Sequence, residues 1–124
     1  MANIVFSDKQ KLKKLNELSH PIVFRKVDEI YRENEGKNLY IEVSAFDLNM
    51  AEYFDEIIYV KSSKGNRVER IKARNNFEES YILSIMSNQL SEEEMEKVAD
   101  FVIVNDGWIG ELEEQVGYIV TWLN

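Results

Sequence analysis

Three short runs of β-branched and aromatic residues limit what this chain can fold into. They are Leu39-Tyr40-Ile41-Glu42-Val43, Ile57-Ile58-Tyr59-Val60 and Phe101-Val102-Ile103-Val104. Such runs favour strands, because a branched Cβ packs well on a pleated surface. They are apolar on both faces, as a sheet covered by helices on each side requires. Segments with helical spacing separate them. Strands alternating with helices predict an α/β domain with three short, mostly parallel strands and flanking helices.

The helical segments carry their own punctuation. Ser7 and Gln10 have capping-box spacing, and Leu12, Leu15 and Leu18 follow at helical intervals, which predicts a helix from about Asp8 to Leu18. Ser19-His20-Pro21 is expected to break it. A second helix, carrying Val23, Val27, Ile30 and Tyr31, should start there and stop at Gly36. Leu48 to Tyr53 reads as a short helix. Gly65 should precede a charged helix from Asn66 to Arg74. Asn76 with Glu79 is expected to cap a helix bearing Ile82, Ile85 and Met86, and Ser91 with Glu94 caps one bearing Met95 and Val98. Asn105-Asp106-Gly107 is turn chemistry. The last helix shows a stripe of Ile109, Leu112, Val116, Ile119, Val120 and Leu123.

A length of 124 residues fits one small domain. The formal net charge of −8 argues against non-specific nucleic-acid binding, which rests on a basic surface. The basic start (Lys9, Lys11, Lys13, Lys14) and acidic end (Glu92, Glu93, Glu94, Glu96, Glu111, Glu113, Glu114) read as solvated helix faces. With no cysteine, disulfides, thiolate metal sites and a thiol nucleophile are excluded, which fits an expected cytoplasmic location. No apolar stretch is long enough to span a membrane, and the first eight residues do not read as a secretory signal.

Four ordered segments then carry a resemblance. They are Phe54-Asp55-Glu56-Ile57-Ile58-Tyr59-Val60, Arg70-Ile71-Lys72-Ala73-Arg74-Asn75-Asn76, Ser87-Asn88-Gln89-Leu90-Ser91 and Ala99-Asp100-Phe101-Val102-Ile103-Val104-Asn105-Asp106-Gly107. The opening adds Ile4-Val5-Phe6-Ser7-Asp8, Leu15-Asn16 and His20-Pro21-Ile22-Val23. Together they resemble the dephospho-CoA kinases over essentially the whole chain. The resemblance implies a P-loop fold of the nucleoside-monophosphate-kinase type, in truncated form. It also implies ATP-dependent phosphorylation of the 3′-hydroxyl of dephospho-CoA, with ATP and Mg as cofactors. Residues 1–36 would then be a helical part of the substrate domain. Residues 37–124 would form a partial kinase core with a lid-like helix over 76–89. Arg70 and Arg74 would meet ATP phosphates, since a guanidinium forks onto phosphate oxygens. Asn105, Asp106 and Gly107 would lie near the adenine, and His20 is a candidate substrate contact.

Each of these residues also has a plainer role. His20-Pro21 fixes turns, Arg67, Arg70 and Arg74 suit salt bridges, and Trp108 and Trp122 suit packing. Asp47 and Asp55 are too isolated to form a metal pair, and no catalytic residue is assigned.

Phosphoryl transfer relies on a G-x-x-x-x-G-K-[ST] turn whose amides and Lys hold the phosphates. None of Gly36, Gly65, Gly107, Gly110 or Gly117 opens such a motif. Met1 falls where the family is already past its P-loop. The family's V-P-L-L-F-E reads Val43-Ser44-Ala45-Phe46-Asp47 here, and Ile85 stands where the lid usually has Arg. In the family the P-loop strand lies between the strands matching Leu39–Val43 and Ile57–Val60, so both should present open edges. The expected partners are therefore the chain itself or an N-terminal half carrying the P-loop. Dephospho-CoA or CoA is the candidate small molecule, bound without tight nucleotide affinity. Two hypotheses follow: part of a split kinase, inactive alone, or a non-catalytic paralogue that acts by binding.

Overall fold

A computed structural model describes residues 8–124. Ser7, and with it the expected capping box, lies outside them. The described residues fall into two compact units, one ending at Ser44 and the other running Ala45–Asn124.

The first unit is dominated by α1, Lys9–Glu33. Asp8 caps it, its carboxylate accepting from the Gln10 and Lys11 amides at 3.0 and 3.2 Å. The expected break at Ser19-His20-Pro21 does not occur, and Pro21 sits inside the helix. A proline there removes one backbone hydrogen bond and strains the turn before it, at about 3 kcal/mol. Helix-compatible sequence on both sides carries the chain through. Asn34 ends α1, its amide side chain donating to the Ile30 carbonyl at 2.8 Å. Gly36 follows in the turn with φ +82°, a conformation open to glycine.

The run Leu39–Val43 is not a strand. A strand exists only when its amides and carbonyls find a ladder partner, and none pairs with it among the described residues. The sheet therefore has two strands here, not three.

The second unit opens with a 3₁₀ helix, Leu48–Tyr53, capped by the Asp47 carboxylate on the Asn49 amide at 2.8 Å. Asp47 is thus a capping residue. The order is then β1 (Ile58–Lys61), α2 (Lys64–Asn75), α3 (Glu79–Ser87), α4 (Glu92–Val98), β2 (Phe101–Val104) and α5 (Ile109–Leu123). β1 and β2 pair in parallel, from Ile58 with Phe101 to Lys61 with Val104. A parallel pair needs a long crossover, and α2, α3 and α4 supply it.

Local chemistry explains most boundaries. Ser63 caps α2 through the Asn66 amide, so Gly65 lies within the first turn rather than before it. Asn76 does not cap α3. It closes α2 in a left-handed conformation, φ 53°, which a short amide side chain tolerates. Glu78 precedes α3 at the N-cap position and makes no side-chain capping bond. The Ser91–Glu94 capping box forms as expected. Met50, Val68, Ile82, Met95, Ile103 and Ile119 are buried, one from each element of this unit except β1.

By strand alternation Tyr59 and Lys61 share one face of β1. Lys61 Nζ reaches Glu92 at 2.7 Å and Glu96 at 2.5 Å, which places α4 over that face. These hydrogen bonds hold the Lys61 pKa above its ordinary range. On the other face Ile58 and Val60 are 37% and 54% exposed. No helix among the described residues is long and apolar enough to cross a membrane.

Ile82 is fully buried, so Ile82→Ala should cost about 2–5 kcal/mol in urea denaturation. Val60→Ala, at the uncovered face, should cost no more than about 1 kcal/mol. Equal losses would show that α3 is not anchored through Ile82.

Candidate functional site

Ligands of open α/β sheets bind outside the carboxyl ends of the strands. In this chain those ends are Lys61 and Val104, followed by residues 62–63 and 105–108. The ladder runs one step past the strands, where the Asn105 amide donates to the Lys61 carbonyl at 2.8 Å. Three side-chain bonds then draw the two loops together. Arg70 Nη1, on α2, donates to the Asn105 carbonyl at 2.7 Å. Asp106 Oδ1 accepts from the Ser63 amide at 2.8 Å and from Asn66 Nδ2 at 2.9 Å. The Asn66 bond, then the Ser63 amide, holds the Asp106 pKa below the usual carboxylate range.

Behind the turn, Gln115 of α5 grips Val104. Its Oε1 accepts from the Val104 amide at 2.8 Å, and its Nε2 donates to the Val104 carbonyl at 2.9 Å. The Glu111 carboxylate lies over Gly107, so a side chain at 107 would have to displace it. Trp108, 70% exposed, lays its ring over Gly110. Arg67 Nε is buried without a hydrogen-bond partner.

Of the residues singled out from the sequence, Arg70, Asn105, Asp106 and Gly107 converge at this site. Arg74 does not join them through any bond seen here, its Nε donating to neighbouring Asn75 at 2.7 Å. His20 lies on α1, in the first unit, with its ring edge-on to Phe24. Asp106 and Arg70 are tied to the protein itself, a use that helical spacing alone does not reveal. Ser63, Asn66 and Gln115 went unrecognised. Ser63 and Asn66 carry only a weak capping signal, and nothing local marks Gln115.

Among the described residues no group of three or more His, Cys, Asp or Glu is placed to hold a metal ion. The turn offers a backbone surface and exposed side chains, which suits a planar base. It offers no ring of amides for a triphosphate, and these residues do not fit a Mg-nucleotide's phosphates on their own.

A family model described as "Dephospho-CoA kinase" matches residues 1–111. Among curated proteins, the dephospho-CoA kinase of Lactobacillus johnsonii is 35% identical over 94% of this chain and 61% of its own length. That of Thermobifida fusca is 31% identical over 96% and 60%. The chain thus spans about three-fifths of the length of these relatives. The crystal structure of TT1252 from Thermus thermophilus superposes with a TM-score of 0.75 at 27% identity, covering 99% of this chain and 65% of that one. Dephospho-CoA kinase from Campylobacter jejuni shares the fold at a TM-score of 0.60, 22% identity, and 98% and 62% coverage.

The Asp106 bonds give stability a pH dependence. A carboxylate whose pKa is lowered on folding stabilises fully above its unfolded value, and that contribution is lost as pH falls through the folded value. The urea midpoint should therefore drop between about pH 5 and about pH 2, and the drop should be shallower in Asp106→Asn. Superimposable profiles would show that the charge of Asp106 does not support the clasp.

Proposed function

Because the chain belongs to the dephospho-CoA kinase family, we propose that it supplies the carboxyl-end part of an ATP site for 3′-phosphorylation of dephospho-CoA. In this reading Asn105-Asp106-Gly107 meets the adenine with its backbone. Asp106 and Arg70 hold that backbone in place. Arg70, exposed on α2 beyond its bond to Asn105, and Arg74 are the cations that the family resemblance assigns to the phosphates. The observation that carries the reading is the convergence of Arg70, Asn105, Asp106 and Ser63 at the carboxyl ends of two parallel strands.

The 124 residues contain no G-x-x-x-x-G-K-[ST] turn. Phosphoryl transfer is largely positioning and charge stabilisation, so without amides around the phosphates catalysis falls by orders of magnitude. The chain by itself is therefore proposed to be inactive and to bind ATP weakly. Turnover requires a phosphate loop from another segment. The open edge of β1, with exposed Ile58 and Val60 beside it, suits a strand of that segment or a second copy of this chain.

A second reading, a non-catalytic binding module, draws on Ser44, Ala45 and Ile85, which depart from the family pattern where substrate or phosphate contacts are expected. Titration calorimetry with ATP and with dephospho-CoA tests both. The chain alone should give weak or no heat with ATP and no kinase turnover. Adding a cognate N-terminal half that carries a P-loop should tighten ATP binding and start turnover. Ligand binding without turnover in that mixture would favour the binding module. Turnover by the chain alone would show that it grips the triphosphate by other means.

A further inference from the structure

We infer that Gln115 is a positioning residue for the Asn105-Asp106-Gly107 turn. Phe101 donates its amide to the carbonyl of Ile57, just before β1, and Asn105 donates to the carbonyl of Lys61 at its end. Val104, out of phase with them, points its own amide and carbonyl away from β1. Both groups go to one side chain: Gln115 Oε1 takes the amide at 2.8 Å, and Gln115 Nε2 serves the carbonyl at 2.9 Å. Nε2 also donates to the Glu111 carbonyl within α5 at 3.2 Å. The side-chain amide thus stands where a further strand would pair and fastens the last residue of β2 to α5. The next residue begins the turn, already held from the other side by Lys61 and Arg70. Without Gln115 the end of β2 loses its side-chain tie to α5, and the start of the turn is held by hydrogen bonds only toward β1 and α2. The charged groups around it are Glu111 on α5, Asp106 in the turn and Arg70 from α2.

The role as a nucleotide contact rests on the function proposed above, while the role in placing the turn does not. Two variants of the full chain separate them. Gln115→Leu removes both bonds. Gln115→Glu keeps an acceptor, but at neutral pH it sets a carboxylate against the Val104 carbonyl, and protonation restores an O–H donor. Amide hydrogen exchange followed by NMR should show protection at Val104 falling about tenfold in Gln115→Leu at neutral pH, with the Asn105–Gly107 resonances shifting in both variants. In Gln115→Glu the shifts should return on acidification toward about pH 4, and in Gln115→Leu they should not. Unchanged protection at Val104 in Gln115→Leu, or no pH-dependent return of the shifts in Gln115→Glu, overturns the role. If Gln115→Leu does not fold, the pH profile of Gln115→Glu decides.

Adenosine is then titrated into wild type and Gln115→Glu. The turn amides should respond in wild type, more weakly in the variant at neutral pH, and recover in acid. Where wild type responds, an equal response in the variant overturns the positioning role. No response in wild type overturns the nucleotide reading and leaves the exchange result standing.

Discussion

Two carboxylates bracket the only strand pair seen among the described residues, and the second unit depends on them. At the entry, Asp100 Oδ2 accepts from the Ile57 amide at 2.8 Å while the Asp100 amide returns to the Ile57 carbonyl. At the exit, Asp106 Oδ1 accepts from the Ser63 amide at 2.8 Å. A two-stranded parallel ladder is weak by itself, with slanted bonds and two edges. Charged acceptors on backbone amides are stronger than neutral ones. Placed at both ends, they hold the ladder where it would otherwise fray. The exit bond also sets the start of α2, because Ser63 is its cap, and the approach to α5, because Asp106 precedes Gly107 and Trp108.

This bracket shows why part of the structure is legible in the sequence. Ala99 to Gly107 holds both aspartates and β2 in nine consecutive residues, so its pattern is informative as a unit. The capping box at Ser91, β1 and the helix α5 are local too, and local spacing recovers them, although Ile109, Val116 and Val120 of the expected α5 stripe are exposed. The partners are less visible. Asp106 reaches Ser63 and Asn66, Arg70 reaches Asn105, and Lys61 reaches Glu92 and Glu96, all across more than thirty residues. Periodicity gives the face on which a side chain sits, and it does not give the partner. Arg70 and Asp106 are therefore legible as members of the site while their internal bonds are not.

Where local reading fails, a competing term wins. Pro21 carries a strong breaking signal, yet losing one hydrogen bond does not outweigh helix-compatible sequence on either side. Leu39–Val43 has the composition of a strand and lacks a partner among the described residues, and composition cannot supply one. Asn76 fits either a cap for the following helix or a left-handed stop for the preceding one. The same short amide serves both, and here the stop prevails.

The two edges of the sheet are not equivalent, and that gives the unit a direction. At β2 the outer polar groups of Val104 are taken by Gln115, which blocks pairing at that point. At β1 no strand lies on the outer side among the described residues, and Ile58 and Val60 leave an apolar face beside it. A strand added beside β1 would meet no such block and would lie about 4.8 Å away. If it runs parallel, its carboxyl end comes to lie beside Lys61 and Ser63, on the same side as the Asn105-Asp106-Gly107 turn. A turn that follows such a strand can present its amides to phosphates while the base rests against the turn after β2.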